Sequence, residues 1–168
     1  MNIVLTGFMA SGKSEISRIL AKKLRYKLFD TDELIVEKEG ITINEIFAKF
    51  GEEYFRSVEH EVICEVSKND KAVISTGGGV VLNKKNIDAL RENGIIINLA
   101  PEFKTIQARL EKASATRPLL KNSSIEEIRE RFESRKPYYD NCDKKITVTN
   151  DKTAAQHADE IISSLENI

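Results

Sequence analysis

Gly7-Phe8-Met9-Ala10-Ser11-Gly12-Lys13-Ser14 carries the residue types that wrap a polyphosphate, at the spacing G-x-x-x-x-G-K-[ST]. Glycine at these positions admits backbone conformations that a side chain forbids. Successive N–H groups then point inward, and the start of the following helix adds partial positive charge. Lys13 brings a full charge to the β- and γ-phosphates, and the Ser14 hydroxyl is a hard oxygen suited to Mg²⁺. A chance glycine turn before a helix is the alternative. It loses force because the flanks are right. Residues 1–6 form a short apolar run of strand type, and residues 15–24 place Ile16, Ile19, Leu20, Ala21 and Leu24 on one helical stripe. The stretch implies binding of a nucleoside triphosphate.

Asp30 and Asp32 follow an expected strand over 26–29, and strand alternation sends both side chains to one side. One carboxylate could serve Mg²⁺ and the other accept a proton from a hydroxyl. The competing reading makes Asp32 only the cap of the next helix. Arg56 and Glu59 lie three apart on a helix, which taken alone reads as a surface ion pair of little worth. Gly77-Gly78-Gly79 leaves an apolar strand over 72–75, where backbone must approach a ligand closely or else forms a mobile turn. Arg117 precedes Pro118 in a polar segment, 113–124, that reads as a cover bringing a cation to the phosphates. Arg135 sits near a helix end, where the dipole favours a cation.

The elements that position these residues alternate. Strands are expected at 1–6, 26–29, 72–75, 95–99 and 145–149. Between them come helices at 15–24, 32–38, 42–50, 52–68, 83–93, 101–112, 125–139 and 153–165. Thr42 with Glu45 reads as a capping box, Gly94 as a helix stop and Pro101 as a helix start. Such alternation predicts an α/β layer fold on a parallel sheet, with ligands at the carboxyl ends of the strands. One domain, 1–168, is expected, with inserts near 32–60 and 113–124.

A chain of 168 residues with 40% hydrophobic and 32% charged content is ordinary for a globular domain. The net charge of −1 gives no reason to expect nucleic acid or an acidic membrane as partner. No apolar run is long enough to cross a bilayer, and the N-terminus lacks a basic leader, so the cytoplasm is expected. Cys64 and Cys142 stand apart, without metal-site or redox spacing. His60-Glu61-Val62-Ile63-Cys64 falls one residue short of the H-E-x-x-H zinc motif and has no evident third ligand. A helix with His60 outward and Cys64 partly buried is the expectation.

Taken together, these residues resemble the shikimate kinases over essentially the whole chain. The resemblance rests on Gly7 to Ser14, Asp30-Thr31-Asp32, Phe55-Arg56-Ser57-Val58-Glu59, Thr76 to Gly79, Thr116 to Leu120, and Arg135 with Pro137-Tyr138, in the family's order. It implies a P-loop kinase-like three-layer α/β/α sandwich, with a five-stranded parallel sheet and a lid. It also implies transfer of the ATP γ-phosphoryl group to the 3-hydroxyl of shikimate, a step towards chorismate and the aromatic amino acids. Carried over by motif, Ala10, Ser11, Gly12, Lys13, Ser14, Glu15, Arg109 and Arg117 bind ATP. Asp32 is the candidate base, with Lys13 and Arg117 neutralising phosphate charge. Arg56 and Arg135 grip the shikimate carboxylate with Gly77, Gly78 and Gly79, and Glu59 orients Arg56. Ser14 and Asp30 serve Mg²⁺, and a monomer is expected.

Three departures accompany the resemblance. Glu15 follows Ser14 where many members carry a second hydroxyl, and the third strand ends without an aspartate. The adenine contacts are weakly marked, with Arg109 the candidate and Lys152 a further basic residue. A gluconate or nucleotide kinase would share the fold and lid but leaves Asp32, Arg56, Glu59 and Arg135 unexplained. A GTP-dependent switch would use Asn83-Lys84-Lys85-Asn86, which lacks the aspartate of the guanine-selecting N-K-x-D signature.

Overall fold

Alternation along the central strands decides how the layers form. In the computed structural model, which describes residues 1–114 and 123–168, the strands are β1 (Asn2–Gly7), β2 (Lys27–Asp30), β3 (Ala72–Ser75), β4 (Gly94–Pro101) and β5 (Lys144–Val148). They pair in the order β2-β3-β1-β4-β5, all parallel. Successive side chains on β1, β3 and β4 point to opposite faces. Ile3, Leu5, Val73, Ile95, Ile97 and Leu99 therefore meet α1 (Lys13–Leu24) and α7 (Ala154–Leu165), while Val4, Ile74 and Ile96 face the other way. That second face is covered by α3 (Ile43–Val66), α4 (Lys84–Glu92), α5 (Phe103–Ser114) and α6 (Ile125–Tyr139). The result is the α/β/α sandwich on a five-stranded parallel sheet. Full burial of each such isoleucine or leucine is worth about 1.5–3 kcal/mol, which is why the inner strands read as unbroken apolar runs.

A third, smaller cluster of Ile35, Ile46, Phe55, Val58 and Val62 binds α2 (Thr31–Glu39) to α3 at the β2 edge. Helix α3 kinks at Gly51, whose φ of 84° and ψ of 175° are not helical. The stop expected there is thus a bend between two packed segments. Thr42 caps α3 through the Glu45 N–H at 3.2 Å, but Glu45 reaches the Thr42 hydroxyl rather than its backbone N–H, so the box is half made.

Several boundaries fall differently from expectation for local reasons. Gly94 does not stop α4; it is the first residue of β4, paired with Asn2, and Asn93 is the cap. Pro101 closes β4 rather than opening α5. Asn83 caps α4 through the Lys85 N–H at 3.0 Å, and Asn86 is buried. Both asparagines of the near-match to a guanine signature therefore have structural work. A 3₁₀ turn over Val80–Leu82, unmarked in the sequence, lies between the glycine run and α4. Among the described residues, no helix is long and apolar enough to cross a membrane.

Candidate active site

The carboxyl ends of β1, β2 and β3 lie side by side, with Asp30 opposite Ser75 and Ser75 opposite Leu5 in register. Gly7, Asp30 and Thr76 therefore leave the sheet on one edge, which is where ligands bind in open α/β folds. The phosphate loop turns there into α1. Gly12 caps this helix with φ 83°, a left-handed conformation that costs a side-chained residue about 1 kcal/mol or more. Lys13 folds back over the loop, donating from Nζ to the Gly7 carbonyl at 3.3 Å. Burial pushes its pKa down, while the carboxylates of Asp32 and Asp30 act to hold it up. A cation poised in this way gains most when a polyphosphate arrives.

The expected pair of aspartates is divided in its duties. Asp30 caps α2, its Oδ1 accepting from the N–H groups of Asp32 at 2.9 Å and Glu33 at 3.1 Å. The cap is thus Asp30, not Asp32. Asp32 already lies in the first helical turn, so strand alternation is not what aims it. Its neighbour is Gly77, where a Cβ would stand 2.5 Å from Asp32 Oδ1. Burial raises the Asp32 pKa, Asp30 raises it further, and Lys13 and Arg56 oppose the rise. A carboxylate so placed is a stronger base than an exposed aspartate.

Each glycine of the run faces a different polar side chain. A Cβ at Gly79 would lie 2.5 Å from Arg56 Nη2, and one at Gly78 would lie 3.7 Å from Arg135 Nη1 and 3.8 Å from the Tyr139 hydroxyl. Asp32 and Arg56 can lie this close only because Gly77 and Gly79 carry no side chain, whereas Arg135 and Tyr139 stand at ordinary contact distance from Gly78. Arg56 Nη1 donates to Glu59 Oε1 at 2.9 Å. Glu59 is 1% exposed, so its half of this contact is buried and the pair is not a wholly solvated surface one. Burial raises the Glu59 pKa, and Arg56 is the main force opposing it. The guanidinium is also bridged to Glu52 at 3.5 Å.

Tyr139 is the site residue that sequence reasoning missed. Its hydroxyl donates to the Gly78 carbonyl, its ring meets Phe8 edge-on at 6.5 Å, and burial raises its pKa against the opposing pull of Arg135. The available signal was position. Tyr139 falls four residues after Arg135, on the same face of α6.

The nucleotide side holds a second group of residues. Arg109 donates to the Ala10 carbonyl and to Asn150 Oδ1, each at 2.9 Å, pinning α5 against the phosphate loop. It lines a cavity of about 800 Å³ with Gly12, Glu15, Lys112, Lys152 and Thr153. Arg109 and Lys152 thus both line the space next to the loop. Ser11 is 1% exposed and its hydroxyl has no protein partner among the described residues. Arg117 and most of the expected lid lie outside the described residues.

Hard oxygen donors suited to a magnesium ion gather at the same edge. They are the exposed Ser14 hydroxyl, the second oxygen of Asp30, and the buried Ser75 hydroxyl opposite Asp30, which has no protein partner among the described residues. This all-oxygen donor set fits Mg²⁺.

A phosphate loop at the sheet edge, facing an aspartate and two guanidinium groups, defines a kinase of small, anionic, hydroxylated molecules. The sequence model of the shikimate kinase family matches residues 9–166. A shikimate kinase of Caldicellulosiruptor bescii is 48% identical over 163 residues, 96% of this chain and 94% of that one. The crystal structure of shikimate kinase from Aquifex aeolicus superposes with a TM-score of 0.84 at 33% identity, covering 99% of this chain and 97% of that chain. Shikimate kinase from Acinetobacter baumannii, solved in complex with shikimate, gives a TM-score of 0.87 at 31% identity, covering 99% and 93%. The chain belongs to the shikimate kinase family.

Proposed function

We propose that this chain transfers the γ-phosphoryl group of ATP to the 3-hydroxyl of shikimate, giving shikimate 3-phosphate and ADP on the route to chorismate. The observation that carries the reading is the convergence of Asp32, Arg135 and Arg56 on Gly77, Gly78 and Gly79. In a family member, that convergence supplies what a hydroxylated ring carboxylate requires. Arg56 and Arg135 present planar forks to the carboxylate, and the glycine backbone closes on it. Asp32, whose carboxyl pKa is raised, accepts the hydroxyl proton as the oxygen attacks phosphorus.

Phosphoryl transfer asks the protein for alignment and charge neutralisation more than for covalent help. Lys13 and the loop N–H groups hold the phosphates, with Ala10, Ser11, Gly12, Ser14 and Glu15 forming the cradle. Arg109 borders the base, and Arg117 adds a cation from the lid. Ser14 and Asp30 would hold Mg²⁺, which would supply charge neutralisation to the nucleotide's phosphates. The reading includes a single-domain monomer working in the cytoplasm, without nucleic acid or membrane; light scattering on the purified protein checks the oligomeric state.

The deciding experiment measures ADP release from ATP with magnesium, in separate reactions with shikimate, gluconate and nucleoside monophosphates. Release that depends on shikimate alone is expected. Release with gluconate or a nucleotide and none with shikimate would replace the substrate and keep the fold.

A further inference from the structure

His60 and Cys64 stand one turn apart on α3, and the reaction above uses neither. The His60 ring is not turned outward, as the sequence suggests, but towards α4. Its Nδ1 lies 2.7 Å from Asn86 Oδ1, and its Nε2 lies 3.6 Å from Cys64 Sγ. The far end of this chain decides where the protons are. Asn86 is 1% exposed, and its Nδ2 donates to the Val80 carbonyl at 3.1 Å. A carbonyl only accepts, so the amide nitrogen must face Val80 and the amide oxygen must face His60. That oxygen needs a donor, so Nδ1 carries the ring hydrogen and Nε2 turns its lone pair to the thiol.

A thiol facing an imidazole lone pair, with the ring oriented by a side-chain amide, is the constellation that activates a cysteine for attack. Cys142 supplies the contrast within the same molecule. Its thiol pKa is pushed up, chiefly by burial, and its surroundings offer Lys145 and a backbone hydrogen bond but no imidazole. Both cysteines are free and partly exposed, so access alone does not separate them. A metal ion is the other use of a His–Cys pair. Among the described residues, no third histidine, cysteine or carboxylate joins this one.

We propose that Cys64 is a reactive thiol that forms a mixed disulfide with small disulfides, with His60 as its base. The thiol proton passes from Sγ to His60 Nε2 as sulfur attacks one sulfur of the incoming disulfide. The reagent's S–S bond breaks as the bond to Sγ forms, and the departing thiolate takes the proton from the imidazolium. One disulfide is consumed and one is made, so no further oxidant enters the balance.

The test treats native protein with dithiodipyridine and, separately, with oxidised glutathione. Thione release is followed for the former, and the adduct is mapped by mass spectrometry of digests for both. Cys64 should react at least about tenfold faster than Cys142. In a Cys142→Ser background, His60→Gln should slow Cys64 by about tenfold while leaving the thermal melt in place. Should that variant fail to fold, the comparison of the two thiols in the unaltered protein still decides. Equal rates at the two cysteines, or a Cys64 rate indifferent to His60→Gln in folded protein, would overturn the proposal.

Discussion

The Arg56 guanidinium lies against Gly79 so closely that an added Cβ would meet Nη2 at 2.5 Å and Cζ at 2.7 Å. Gly79 has φ −94° and ψ 0°, a conformation that any residue can adopt. What the glycine supplies here is room, and the side chain that uses the room is the one we propose grips the shikimate carboxylate.

Gly79→Ala therefore should displace Arg56 without unfolding the protein. The end of a flexible side chain can move, so the stability change should stay within about 1 kcal/mol. The KM for shikimate should rise roughly tenfold or more, with the KM for ATP unchanged. Steady-state kinetics beside a thermal melt checks both parts. An unaltered shikimate KM would show that Arg56 does not depend on the gap.

Arg56→Lys keeps the charge but loses the fork and the donor to buried Glu59. Shikimate affinity measured by calorimetry should fall by about tenfold or more, because an ammonium group cannot span both carboxylate oxygens as the guanidinium does. Unchanged affinity would remove Arg56 from the carboxylate site.

Asp32→Asn should leave ATP affinity nearly intact and lower kcat by roughly 10²–10⁴-fold. The pH dependence follows from the raised pKa, whose causes are burial first and Asp30 second. The base must be ionised, so wild-type turnover should fall on acidification from a higher pH than an exposed aspartate would give. Folding stability runs the other way. A carboxyl whose folded pKa exceeds its unfolded value favours the fold below both values, and loses that contribution as pH rises through the window between them. Wherever Asp32 is ionised it thus weighs against the fold, and there Asp32→Asn should raise Tm while it lowers turnover. A variant with wild-type turnover has no catalytic aspartate at this position.

Tyr139→Phe removes the donor to the Gly78 carbonyl and retains the ring against Phe8. The shikimate KM should rise a few-fold and stability should fall by about 0.5–1.5 kcal/mol, the usual worth of one such hydrogen bond. An effect on the ATP KM instead, with that for shikimate unmoved, would place Tyr139 in the service of the phosphate loop.

Some elements were legible because their causes are local. A glycine loop before a helical stripe needs only its own residues, so the phosphate loop and α1 were placed from the sequence with a shift of a residue or two at the ends. The division between Asp30 and Asp32 was not legible. Both residues are good helix caps and good bases, and only the position where β2 ends makes Asp30 the cap. Arg56 and Glu59 looked like a surface pair because the spacing on a helix does not reveal what covers it. Tyr139 is missed, and His60 is read as pointing outward, for the same reason, since their partners, Gly78 and Asn86, lie on other elements far along the chain.

The sequence by itself determined the alternation of strands and helices, the phosphate-binding turn and the set of charged residues available for chemistry. Backbone preference and hydrophobic period act over a few neighbours and are written into adjacent letters. Only the tertiary structure decided which charges meet, because α2, α3 and α6 reach the glycine run from separate sides of one sheet edge. Contact between such elements depends on how side chains fill the space between layers, and no spacing along the chain encodes that.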